Sequence, residues 1–399
     1  MRFSELNKLK AEPAKPEPRP QARPAPAPAK EPPPLTPLTP PAPVPLPASD
    51  RPEALKSGAP VFKTRPGREA KTAPREAAVP FRDLDLQAKE IYARLLTQAG
   101  ELLKCADQPY TEKYEAVLRT CRLAEETLKT NSVLLNYASY TTPEDYLRAH
   151  TANTALLAIA MGLSAGFEPE EMKLLGFCAM AHDLGMTGYG DLAGREGRLT
   201  DEEFSEIALH TEAGVAKLDR IVDLDYKVKD RVKRIVLQTH ERLDGTGYPD
   251  RLTSEEIDPL AMFIGLADVY EAMTHARSWR EPLNPPDVIK ELIEKEGRGF
   301  SSKAVKALLS TLSIYPPNSL VALSTGEIAR VIKVNKGSLT RPLVEVLLDP
   351  EFAPAQPQAL DLLEYPLTSI ERAVTFGELR ENNARFAAKL ELARLWVEW

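Results

Sequence analysis

Four histidines and an aspartate recur at a near-constant step of roughly 30 residues, about one helix and its connection: His150, His182, His210, His240 and then Asp268. The whole chain holds five histidines, so this rhythm takes all but one of them. Successive antiparallel helices can each deliver one such side chain to a common level of a bundle core. His182 and Asp183 are adjacent at the end of an apolar run, LLGFCAMAHD, where ionisable heads are costly to bury alone. A metal ion would satisfy both. A single histidine on an apolar helix is more often a hydrogen-bonded core residue than a ligand, but four in register with an Asp pair reverse that weighting. His275, in MTHARSWR, falls outside the rhythm and reads as a surface or pocket-edge residue.

The rest of the chain frames this segment. Of 36 prolines, 21 precede residue 81, so residues 1–80 read as a disordered Pro/Ala-rich tether, a spacer in preference to a partner-binding PxxP tract. Residues 81–138 turn helical, with Leu86, Ile91, Leu95 and Leu96 at helical spacing, and predict a hairpin that packs, dimerises or regulates. The next helix starts in TTPEDYLRAH, with Thr142 as cap, Pro143 at its first position and Asp145 three residues after the cap. From there to residue 316 the pattern is all-helical. Residues 317–375 change to β-branched runs separated by Gly-containing turns and predict a small three-stranded β subdomain. Residues 376–399 predict one amphipathic helix, with Phe386, Leu390 and Trp396 on its apolar face. The fold class is mainly α: a helical bundle with a small β appendage.

Composition excludes several functions. Net charge is −7, so no global basic field recruits a nucleic-acid polymer or anionic lipid. Cys105, Cys121 and Cys178 form no CxxC pair and read as buried apolar residues in a reducing compartment. No apolar run approaches the roughly 18 residues of a membrane span, and the first residues lack an apolar signal core, which makes a cytoplasmic location the expectation.

His150, the pair His182-Asp183 and Asp268 resemble the H…HD…D signature of HD metal-dependent phosphohydrolases. HERLDGTGYP, from His240 to Pro249, adds the mark of the HD-GYP subfamily, and LTDEEFSEIALHTEAG around His210 and LADVYEAMTHARSWR match further segments of it. The resemblance runs from about Thr142 into the β appendage. It implies hydrolysis of the bacterial messenger cyclic di-GMP to pGpG or GMP by divalent ions, one or two per chain, with iron or manganese expected. His182 and Asp183 would be catalytic. One ion would be held by His150, His182, Asp183 and Asp268. The second would share Asp183 and take His210, His240 and a residue before His240. Arg277 and Arg280 would hold phosphates, and Gly247, Tyr248 and Pro249 would shape the substrate pocket. Glu241 and Arg242 would orient neighbours or brace the loop.

Three positions depart from the family pattern. The residue before His240 is Thr239, whose neutral hydroxyl is a poor ligand for iron, manganese or zinc. Met186 stands where many members carry a phosphate-binding lysine, and Tyr146 where members with a third metal carry glutamate. Two readings follow: a phosphodiesterase, or a receptor for cyclic di-GMP or for other signalling proteins that keeps the bundle without turnover. Hydrolysis of another phosphoester is a third, which the intact GYP loop disfavours. The flanking helices also suggest a homodimer.

Overall fold

A computed structural model of the chain describes residues 81–104, 112–141, 145–193, 197, 199–220, 226–276, 281–294 and 298–393. The Pro-rich segment, Cys105, Thr142, Pro143, Arg277, Arg280 and Trp396 lie outside the described residues. Helices α1 (Phe81–Lys104) and α2 (Glu112–Thr130) pair as a hairpin, and a 3-10 turn over Ser132–Ser139 leads into α3 (Tyr146–Ala165). The cap of α3 is Asp145 itself, whose carboxylate accepts from the Arg148 backbone N–H, so the first turn begins later than TTPE suggested.

Helix α3 is the axis of the bundle. From Ala149 to Gly162 every residue is buried, because HTANTALLAIAMG carries small and apolar side chains on all its faces. Around it pack α1, α2, α4 (Pro169–Ala181), α9 (Pro259–Thr274) and α11 (Ser302–Leu312). Between α4 and α9 the chain runs through α5 (Gly190–Ala193), α6 (Asp201–Ala208), α7 (His210–Leu218) and α8 (Tyr226–Leu237), and α10 (Pro285–Glu294) follows α9. Helix α6 starts at a capping box in which Thr200 and Glu203 bond each other's backbone N–H. Cys121 and Cys178 are both buried.

The β subdomain has five antiparallel strands where the sequence suggested three. They are β1 (Leu320–Leu323), β2 (Ile328–Lys333), β3 (Leu343–Leu348), β4 (Pro354–Asp361) and β5 (Ile370–Val374), in spatial order β4-β3-β2-β1-β5. β1 to β3 are the apolar runs. The two extra strands are the edges, and β4 is mostly exposed, with prolines at 354 and 357, so its sequence carries no apolar alternation to betray it. The C-terminal segment is two short helices, α12 (Phe376–Asn382) and α13 (Ala384–Leu392), broken at Asn383, whose side chain caps the second by accepting from Phe386 N–H. Phe386 and Leu390 do pack on one face of the sheet, against Leu320, Ile328 and Leu348. Among the described residues no helix is long and apolar enough to cross a membrane.

Candidate metal centre

Five stretches of chain bring the marked residues to one point. His150 comes from α3, and His182 caps the C-terminus of α4 with Asp183 next to it. His210 opens α7, His240 lies just beyond α8, and Asp268 sits in the middle of α9. All except the half-buried His240 are buried, and His182 is fully so.

Asp183 is the hub. Its Oδ1 lies 3.3 Å from His210 Nε2, 3.6 Å from His182 Nε2 and 3.8 Å from His240 Nε2, and its Oδ2 lies 3.5 Å from His150 Nε2. Two ligand groups result, His150-His182-Asp183 and Asp183-His210-His240, with Asp183 in both. Asp268 closes the cluster, 3.2 Å from His150 Nε2 and 3.6 Å from His240 Nδ1.

The outer faces of the rings are fixed. His182 Nδ1–H donates to the Ala179 carbonyl at 2.8 Å, His210 Nδ1–H to the Ile207 carbonyl at 2.7 Å, and His150 Nδ1–H to Glu271 Oε2. Each bond places the proton on Nδ1 and leaves the Nε2 lone pair facing the cluster, the arrangement a metal-ligating imidazole needs. His182 Nε2 and Asp183 Oδ1 are buried with no hydrogen bond, facing the shared space. Buried polar atoms without partners are costly, and a divalent cation would satisfy them, so the donor set fits the ion.

Thr239, the residue before His240, is fully buried beside the cluster. Its hydroxyl donates to the carbonyl three residues earlier, Val236, at 3.0 Å. His182 and His210 anchor their rings on the residue three earlier in the same way. Thr239 thus keeps the anchoring bond and lacks the ring.

The loop after His240 walls one side. The Tyr248 ring stacks on His240 at 4.9 Å and 6° and meets His210 edge-on at 6.2 Å, and the half-exposed Phe204 meets Tyr248 edge-on at 5.7 Å. Glu241, 0% exposed, braces the loop exit by accepting from the backbone N–H groups of Asp250 (2.7 Å) and Leu252 (2.9 Å). Arg242 ties the entry to the carbonyls of Glu241 and Thr239 and packs over Phe300. Gly247 is required sterically, since a Cβ there would lie 2.4 Å from the Glu241 Cα.

Four placements depart from the sequence reading or extend it. His275 is 3% exposed, and its Nδ1 bonds the Glu271 carbonyl at 2.9 Å, so it is a buried residue behind the centre and not a surface one. Tyr146 stacks on His150 at 5.5 Å. Met186 is half-buried beside Thr187, which accepts from Lys217. Glu271, which supports His150, was missed. The available signal was its place three residues after Asp268 on a helix with no other charged residue.

Charge in the cluster is shared unevenly. Burial pushes His150 and His210 down, but Glu271, Asp183 and Asp268 outweigh it and both imidazoles end raised. His240 ends lowered, chiefly by burial. Burial would raise Asp183 and Asp268, yet the surrounding imidazoles hold both well below the usual carboxylate range. The raised histidines stabilise the metal-free fold below their unfolded value of about 6.5 and lose that effect as pH climbs through the folded values; the depressed aspartates stabilise it above about 3.9. The metal-free protein should therefore melt highest between about pH 4 and 6.5 and lower towards pH 9. Metal binding needs neutral Nε2 and should strengthen over the same rise. Melting curves from pH 5 to 9 with and without manganese check this, and a metal-free curve flat above pH 6.5 would contradict it.

Comparison with known families places the chain in a class. Residues 125–302 match the HD domain, and residues 320–382 match a KOW domain associated with the HD domain. The chain is thus an HD-domain protein with its associated β module. With the His240 to Pro249 loop and its relatives, it is an HD-GYP protein. It is 29% identical over 243 residues to the cyclic di-GMP phosphodiesterase PA4108 of Pseudomonas aeruginosa, covering 60% of this chain and 57% of that one. It is also 29% identical over 162 residues to the 3'3'-cGAMP-specific phosphodiesterase 2 of Vibrio cholerae, covering 40% of this chain and 30% of that one. The solved structure of Bd1817, a HDG"Y"P protein from Bdellovibrio bacteriovorus, aligns with a TM-score of 0.46 at 19% identity over 58% of this chain and 73% of that one. The chain spans less than two thirds of the length of these curated relatives.

Proposed function

We propose that the protein is a metal-dependent phosphodiesterase that opens cyclic di-GMP to pGpG and then GMP, using iron or manganese. The observation that carries this reading is the Asp183 carboxylate shared between two histidine groups with converging Nε2 atoms. The names of several curated relatives support the substrate. When bound, the ions polarise the diester and acidify the attacking water. The chain does the rest. His150, His182, Asp183 and Asp268 form one ligand set, and Asp183, His210 and His240 the other. The low carboxyl pKa values keep both aspartates ionised against the cations. Tyr248 shields His240 from one side, and the exposed Phe204 ring offers a face on which a purine can stack. Arg277 and Arg280 take the phosphates, and Gly247 and Pro249 hold Tyr248 in place.

Thr239 favours a second reading, a cyclic di-GMP receptor without turnover, because it leaves the His210-His240 group one ring short. Elemental analysis of metal content, run with turnover of cyclic di-GMP and 3'3'-cGAMP, decides between the two. The natural chain should hold between one and two ions and release pGpG. Since the Val236 carbonyl is already placed to anchor an imidazole, Thr239→His should bring occupancy near two and raise turnover by about tenfold or more. Nucleotide bound but uncut by both proteins would establish the receptor.

A further inference from the structure

Helix α1 lies outside residues 125–302, the segment that matches the HD domain, yet one of its side chains is wired into the metal centre. The Tyr92 hydroxyl, 0% exposed, donates to Asn153 Oδ1 at 2.8 Å. The Asn153 amide donates to Glu271 Oε1 at 3.1 Å and to the Tyr140 carbonyl at 3.0 Å. Glu271, 1% exposed, accepts the Nδ1–H of His150 on its other oxygen, with the Tyr146 hydroxyl at 3.4 Å and His275 Nδ1 at 3.3 Å from the carboxylate. Three helices are joined in one run of buried bonds: Tyr92 on α1, Asn153 and His150 on α3, and Glu271 on α9.

Each link constrains the next. A flipped Asn153 amide would turn its oxygen towards the Glu271 carboxylate and the Tyr140 carbonyl, so only the observed orientation is compatible with both acceptors. That orientation presents Oδ1 to α1, where the Tyr92 O–H meets it. The held amide in turn fixes the Glu271 carboxylate, which sets the His150 tautomer and the direction of Nε2. We infer that Tyr92 is a positioning residue for the His150 ligand, through which helix α1 sets the affinity of the centre for its metal. The inference rests on the reading of His150 as a ligand. It makes α1 a point at which displacement of the N-terminal hairpin changes metal binding without contact with any ligand.

The test is manganese affinity, measured by competition with a chelating dye in the absence of nucleotide, on the full chain and on Tyr92→Phe. The variant removes one oxygen and keeps the ring. Affinity should fall by about tenfold, the low end of the range for partners outside the ligand shell. Tyr137→Phe is the control: its ring packs 5.5 Å from Tyr92, but its hydroxyl ties the 3-10 turn to α1 by donating to Asp85. It should leave manganese affinity unchanged. Asn153→Ala cuts the same run one bond nearer and should lose at least as much as Tyr92→Phe, with melting temperatures recorded for every variant. Unchanged affinity in Tyr92→Phe, or equal losses in Tyr92→Phe and Tyr137→Phe, overturns the inference, as does a natural chain that binds no manganese. Manganese bound with the predicted ranking but no diester cleaved would sink the phosphodiesterase reading and leave this one standing.

Discussion

Asp183→Asn is expected to lower diester hydrolysis by at least about a thousandfold, because both ligand groups run through this one carboxylate and the acidification of water by bound ions is lost with them. An amide keeps the volume but offers a neutral oxygen, a weak ligand between two sets of imidazoles. The natural chain at a manganese concentration one hundred times its dissociation constant should gain about 2.7 kcal/mol of stability, and the variant close to none. In the metal-free fold two effects oppose each other, since the variant loses the attraction of Asp183 to the raised His150 and His210 and also removes the cost of burying a carboxylate. Thermal melts across a manganese titration separate these effects. A variant whose melting temperature still climbs with manganese as in the natural chain would show that Asp183 is not the shared ligand.

Gly185→Ala should damage fold and centre together. Two residues after Asp183, the chain crosses the start of α7 so closely that a Cβ on Gly185 would lie 1.8 Å from the His210 carbonyl oxygen and 2.7 Å from the Gly214 nitrogen. Both are backbone atoms, so no side chain can turn aside and the two segments must part. Overpacking of this kind costs about 3 kcal/mol, or roughly 6–12 °C in melting temperature for a domain of this size. Parting them also draws His210 Nε2 away from Asp183 Oδ1, so manganese occupancy should fall even in the fraction that folds. Full metal content at a reduced melting temperature would confine the contact to a packing role.

Much of the centre could be read from the sequence because the chain has only five histidines, four of them fall one helix apart, and one of these abuts an aspartate. His182 stands out at the foot of an apolar helix, and the glycines after His240 have no other use than to fold a loop back on itself. Glu271 could not be separated from an ordinary acidic residue until α9 and α3 were seen to face each other, since its partner is 121 positions away. Tyr92 and Asn153 look like any core tyrosine and helical asparagine for the same reason. The edge strands were hidden because an exposed strand has no apolar period to reveal it, and the C-terminal break at Asn383 because one polar residue in an amphipathic run reads as its wet face. Position in a rhythm says nothing about burial: His275 is buried and not on the surface, but it does line a cavity, beside Tyr270 and Thr274.

The outer strand β4 carries its prolines on the free margin of the sheet. A margin with every amide intact is a template on which another chain can add by hydrogen bonding, the first step towards fibres. Pro354 and Pro357 have no N–H to give, so this border is interrupted where an incoming strand would need continuous donors. If two copies of the chain associate by adding strand to strand, β4 is the poor border for it, and the contact falls to the opposite edge at β5 or to the helices.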